Sequence, residues 1–120
     1  MKSLLIISLF FLSTLAYSQG MKITWNDADG REFALTTSGD FSYSMIQGDR
    51  IGYDLKGRVD KIGSIYIYYD LEGRVSRIHG KYGTYIYYDL KGRVSRIGDL
   101  WVYYDSQGRF SRTSGSVNFQ

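Results

Sequence analysis

The phrase Tyr-Asp-x-x-Gly-Arg occurs four times in the last two thirds of this 120-residue chain, as Tyr53-Asp54-Leu55-Lys56-Gly57-Arg58, Tyr69-Asp70-Leu71-Glu72-Gly73-Arg74, Tyr88-Asp89-Leu90-Lys91-Gly92-Arg93 and Tyr104-Asp105-Ser106-Gln107-Gly108-Arg109. Recurrence at a short period marks a supersecondary unit that cannot bury its apolar side alone and is stable only when stacked on its neighbours. The chain must therefore fold as an array. A fifth, worn copy, Trp25-Asn26-Asp27-Ala28-Asp29-Gly30-Arg31, keeps Asp, Gly and Arg in place and has Trp and Asn where the tyrosines stand.

Asp, two residues suited to the right-handed region and then Gly is what a type I turn with a glycine bulge requires, because Gly takes positive φ without steric cost. Ile51, Ile67, Ile86 and Val102 lie three residues before the Asp, and Val59, Val75, Val94 and Phe110 five after it, so two β-rich arms flank every turn. Each copy is expected to be a β-hairpin. The fold class is all-β: an antiparallel meander of repeated hairpins, about ten short strands in a twisted or curled sheet that starts near Lys22. Within the second hairpin the expected pairs are Asp70 with Arg74, Tyr69 with Val75, Tyr68 with Ser76, Ile67 with Arg77 and Tyr66 with Ile78. The recurring Asp54, Gly57, Arg58, Asp70, Gly73, Arg74, Asp89, Gly92, Arg93, Asp105, Gly108 and Arg109 are assigned a structural, turn-closing role. Identical copies in every hairpin fit that role better than acid–base chemistry, and Asp also bonds its own turn backbone.

Ile62-Gly63-Ser64-Ile65 and Ile97-Gly98-Asp99-Leu100 join successive hairpins through good turn dipeptides. A two-residue turn would pair Ile62 with Ile65 and interchange the faces at every repeat, whereas a three-residue turn pairing Ile62 with Tyr66 would keep the columns aligned. The second arrangement is expected. One face then carries Tyr69, Ile67, Ile65, Val75 and their equivalents, and the other carries Tyr66, Tyr68, Tyr85, Tyr87, Trp101 and Tyr103. The connection from His79 to Gly83 is longer than its counterparts and is expected to protrude.

Lys2, the apolar run Leu4 to Ala16 and the small residues around Ala16-Tyr17-Ser18 follow the order of a secretory signal peptide. Residues 1–18 are read as that leader, with cleavage after Ser18, and 19–120 as a single β-repeat domain. The apolar run is shorter than the roughly 20 residues of a membrane span, so no span is expected after cleavage, and the protein is expected to be secreted, periplasmic or associated with the cell surface. The chain has no cysteine, so export brings no disulfide framework. Fifteen basic and 12 acidic side chains are interleaved along the repeats. That pattern argues against nucleic acid, which calls for a clustered basic face.

Catalysis needs a base, a nucleophile and a group that orients them. The one histidine, His79, reads as a solvated loop residue, and no catalytic constellation appears, so a non-enzymatic protein is expected. Asp27-Ala28-Asp29-Gly30 has the centre of a calcium loop, but Trp25 and Thr36 stand where its outer carboxylates belong. Neither a metal nor any other cofactor is expected. The aromatic ladder of Tyr66, Tyr68, Tyr85, Tyr87, Trp101 and Tyr103 is the candidate ligand-binding set, either packing across the strands or stacking on sugar rings.

Tyr-Asp-x-x-Gly-Arg-[Val/Phe] resembles the YD repeat of the RHS family of secreted and cell-surface proteins, over Ile51 to Arg112 and more loosely over Ile23 to Leu35. The resemblance implies a β-sheet strip, here a short stand-alone relative, with a role at the cell surface; such repeats have been associated with carbohydrate binding. Two functions follow as expectations: a structural or interaction module for an unknown protein or glycan partner, with self-association through open sheet edges, or a carbohydrate-binding module.

Overall fold

Hydrogen bonds close the same bend in all five copies. The Asp70 N–H donates to the Arg74 carbonyl at 2.8 Å and the Gly73 N–H to the Asp70 carbonyl at 3.0 Å, and equivalent pairs close the bends at Asp27, Asp54, Asp89 and Asp105. Gly73 sits at φ 83°, with Gly57, Gly92 and Gly108 at nearly the same angle. The positive-φ turn glycine inferred from sequence is therefore present. These bends belong to a computed structural model that describes residues 21–117; the expected leader lies outside the described residues.

The described residues are all-β, with eleven strands: β1 (Lys22–Asn26), β2 (Glu32–Thr36), β3 (Phe41–Tyr43), β4 (Ile51–Tyr53), β5 (Val59–Ile62), β6 (Ile65–Tyr69), β7 (Val75–His79), β8 (Gly83–Tyr88), β9 (Val94–Ile97), β10 (Leu100–Tyr104) and β11 (Phe110–Ser114). The meander is antiparallel and follows chain order. It is split into a three-stranded sheet, β1 to β3, and an eight-stranded sheet, β4 to β11. The strand beyond the expected hairpins is β3, which returns along β2 with Phe41 opposite Leu35 and Tyr43 opposite Phe33.

The cross-strand register differs from the expectation at two places. Tyr69 pairs with Val75 as inferred, but Tyr68 faces Arg77, Ile67 faces Ile78 and Tyr66 faces His79, because the register slips between Tyr68 and Tyr69 and leaves Ser76 as an extra residue. The same bulge recurs opposite Gly52/Tyr53, Tyr87/Tyr88 and Tyr103/Tyr104. The connections are two-residue turns after all, with Ile62 opposite Ile65 and Ile97 opposite Leu100. Each departure alone would exchange the faces of the sheet. Together they cancel, since a bulge adds one residue to one strand and shifts its alternation by one. Val75 and Ile78, three apart, are thus both buried.

The columns stay aligned, and one face of the long sheet is apolar in nearly every position, with Thr84 a buried exception. Ile62, Ile65, Ile67, Val75, Ile78, Ile86, Val94, Ile97 and Val102 form one buried cluster with Trp25, Phe33 and Leu35 of the small sheet. The small sheet lies over this face, as in a two-layer packing. The long sheet is open rather than closed into a barrel, with β4 and β11 as its edges. Two polar links fasten the layers. The Val94 N–H donates to the Thr37 carbonyl at 2.9 Å, and Arg31 bonds Asp49 through Nε and Nη2, both at 2.8 Å.

The connection after β7 is shorter than expected. His79 pairs with Gly83, leaving Gly80, Lys81 and Tyr82 as the loop. It is still one residue longer than the two-residue turns at Gly63-Ser64 and Gly98-Asp99, and the other two additional residues lengthen β7 and β8.

Candidate binding face

Two basic positions recur in every repeat, apart from Lys56 and Lys91 in two of the turns, and they meet different surroundings. The first, in the turn motif, is neutralised. Nε of Arg58, Arg74, Arg93 and Arg109 bonds the second carboxylate oxygen of Asp54, Asp70, Asp89 and Asp105 at 2.7, 2.8, 2.7 and 3.1 Å. The first oxygen of each Asp accepts two turn N–H groups, as Asp70 does from Glu72 and Arg74. Desolvation works against ionisation at Asp54, Asp70 and Asp89, but the backbone and guanidinium bonds outweigh it and hold these carboxyls below the usual carboxylate range. At Asp105 the backbone bond from Arg109 is the leading cause of the same shift.

The turn arginines also bind one hairpin to the next. The guanidinium carbons of Arg58, Arg74 and Arg93 lie 4.2, 4.2 and 4.1 Å from the ring centres of Tyr69, Tyr88 and Tyr104 in the following repeat. Those phenols donate back to the carbonyls of Val59, Val75 and Val94 at 2.6 to 2.7 Å. The ends of the array reveal the dependence. Tyr53, with no repeat before it in the long sheet, is 64 % exposed, and the Arg109 side chain, with no repeat after it, is 69 % exposed. Tyr-Asp-x-x-Gly-Arg-Val is thus accounted for by hairpin closure and stacking.

The second basic residue, Lys61, Arg77, Arg96 or Arg112, stands on the solvent face among the ladder aromatics. Arg77 lies 4.8 Å from the Tyr68 ring and 5.3 Å from Tyr85, and Arg96 lies 5.3 Å from Tyr87 and 4.8 Å from Trp101. Lys61 covers Tyr66 at 5.4 Å and Arg112 covers Tyr103 at 4.1 Å. Tyr66, Tyr68, Tyr85, Tyr87, Trp101 and Tyr103 all share this face, 38 to 49 % exposed. Among the described residues no carboxylate pairs with Lys61, Arg77 or Arg112; Arg96 alone has one, Asp99, at 3.5 Å. Strand spacing of about 4.8 Å puts these cations about 10 Å apart, one on every second strand. Sequence reasoning found the rings but missed the cations between them. The signal was the second basic residue in Val75-Ser76-Arg77-Ile78 and Val94-Ser95-Arg96-Ile97.

The remaining candidates are occupied within the fold. His79 is a half-buried residue ending β7, its Nδ1 3.1 Å from Arg77 Nη2, and not a solvated loop residue. Asp27 and Asp29 turn their carboxylates to the Arg31 guanidinium, each at 3.0 Å. Comparison of the chain with protein-family models, with curated proteins and with solved structures gives no match.

Proposed function

We propose that this protein is an exported, non-enzymatic interaction module that binds a negatively charged partner at the cell surface or in the periplasm through the solvent face of its long sheet. One observation carries the reading: of the two basic positions that recur in every repeat, the turn arginine is matched by an acid while the face cation is set among aromatic rings, and among the described residues only Arg96 of the face cations has a paired carboxylate. Stacked guanidinium groups are held in place before a ligand arrives, so less side-chain entropy is lost on binding. The leader and the resemblance to YD repeats support export and a surface role.

A partner held this way should come down with the protein from the surface fraction of its own cell, be released by salt, and be retained poorly by Arg77→Gln/Arg112→Gln with an unchanged melting temperature. Capture that ignores both salt and the substitutions would remove the face from consideration.

A second reading, carbohydrate binding, is favoured by the six half-exposed rings, whose flat faces suit sugar stacking. It requires glycan-array binding that disappears in Trp101→Ala and Tyr85→Ala while the fold is retained.

A further inference from the structure

Three leucines stand wholly in solvent at the tips of successive hairpins. Leu55, Leu71 and Leu90 have relative exposures of 108, 103 and 107 %, and each directly follows its turn Asp. The bend does not need them there, since Ser106 and Ala28 occupy the same position in bends closed by the same hydrogen bonds. The tips form one row. The Arg58, Arg74 and Arg93 side chains each reach from one turn to the glycine of the next, Gly73, Gly92 and Gly108. With two strands per hairpin, successive leucines are about 10 Å apart along the turn edge of the sheet, the margin at the strand ends that runs across from β4 towards β11.

We propose that this edge docks on an anionic lipid interface, with the three leucines entering the headgroup–acyl boundary and the lysines beside them meeting lipid phosphates. The tips are convex, and an apolar side chain entering a lipid interface needs no matching pocket. A second protein surface would need far more, because a stable interface takes about 20–30 residues a side. The charges agree with this occupant. Asp54, Asp70 and Asp89 are matched by their own arginines, and Lys56 and Lys91, next to Leu55 and Leu90, have no acidic partner among the described residues; Glu72, which shares Arg74 at 3.6 Å, offsets one of them and leaves the three tips with a surplus of one positive charge. Each turn is fixed by its hydrogen bonds, so the row is presented without further ordering. The inference is independent of the solvent face.

The absence of cysteine allows a single labelled position. A polarity-sensitive fluorophore on Ser106→Cys, at the fourth tip, is compared with one on Ser64→Cys, at the opposite edge, using vesicles of phosphatidylcholine with and without phosphatidylglycerol. The leader is common to both proteins, so the difference between the two positions reports the edge. A blue shift at position 106 but not 64, stronger on the anionic vesicles and at least about tenfold weaker in apparent affinity after Leu55→Ser/Leu71→Ser/Leu90→Ser, is the expected result. It is overturned by no shift at 106, by equal shifts at both positions, or by a shift that survives the triple substitution. Loss of a concentration-dependent dimer in the triple variant, without any vesicle response, would assign the row to a second copy of the chain and equally overturn the proposal.

Discussion

Tyr88 has two jobs that a single atom separates. Its ring lies against Arg74 and its hydroxyl donates to the Val75 carbonyl at 2.7 Å. Tyr88→Phe keeps the stack and deletes the bond, so chemical denaturation should register a loss of about 1 kcal/mol. Burial pushes the phenols of Tyr88 and Tyr104 up to about 12, while an unfolded tyrosine ionises near 10. A raised folded value means that this stabilisation is complete below about pH 10 and is lost as the pH rises towards about 12. Thr84 presents the opposite case. It fills the column held by Ile65 and Leu100 in neighbouring repeats, is 1 % exposed, and its hydroxyl has no hydrogen-bond partner among the described residues. Thr84→Val keeps the shape and removes the unmatched polar atom, and should stabilise by about 1 kcal/mol.

At the scale of the hairpin, turn and bulge make different demands on sequence. The turn is local: Asp, Gly and Arg specify it, and Gly92→Val should cost more than an ordinary surface change, about 1–2 kcal/mol, because Cβ opposes the φ of 80°. Equal melting of Gly92→Val and the parent would contradict that. The bulge is specified by a conflict. Val75 and Ile78 both need the core, yet three residues of regular strand would put them on opposite faces. Deleting Ser76 leaves Val75 and Ile78 two residues apart, the same-face spacing of a regular strand, so the deletion should still unfold cooperatively with both in the core, as should Ser76→Ala, which keeps the bulge. This distinction also separates what was legible in the sequence from what was not. The five hairpins and the composition of both faces follow from Asp-x-x-Gly and from alternation. The register did not, because each connection was weighed on the assumption of regular hairpins, although the Val-x-x-Ile spacing carried the contrary signal. The aromatic face was legible from alternation alone. The fate of its cations was not, since nothing local distinguishes a basic residue that meets an acid from one that does not.

At the scale of the whole molecule the array has specialised ends and a charged fastening. Asp49 occupies the column position that Ile65, Thr84 and Leu100 hold in later repeats, and Thr113 occupies the position of Ile62, Ile78 and Ile97. A polar residue on a terminal strand, as Thr113 is on β11, is a means of limiting further edge pairing, which weighs against indefinite stacking of copies through β11. Asp49 has a second use, as the acceptor for Arg31 of the small sheet. The side chains of Arg31, Asp27 and Asp49 are 4, 3 and 5 % exposed, and Gly63, at φ 59°, leaves room where a Cβ would overlap the Asp49 carboxylate. The hydrogen bonds from Arg31 hold the Asp49 carboxyl below its usual range. A depressed folded value means that the fastening is complete above the ordinary aspartate value of about 3.9 and is lost as the pH falls through the lower, folded one. The turn aspartates shift in the same direction, so hairpins and docking weaken together in acid, and a pH titration of the parent alone cannot separate them. Substitution can. Of the two tryptophans, Trp25 is buried under the small sheet at 8 % exposure and Trp101 is at the solvent face at 46 %, so Trp101→Phe leaves Trp25 as the reporter of docking. In that background Asp49→Ala should redden Trp25 emission and lower the melting temperature at neutral pH, and should lose less on acidification than its parent, because one of the depressed carboxyls is already gone. If Asp49→Ala melts like its parent at neutral pH, the two sheets are held by their apolar faces and the Arg31–Asp49 pair adds nothing.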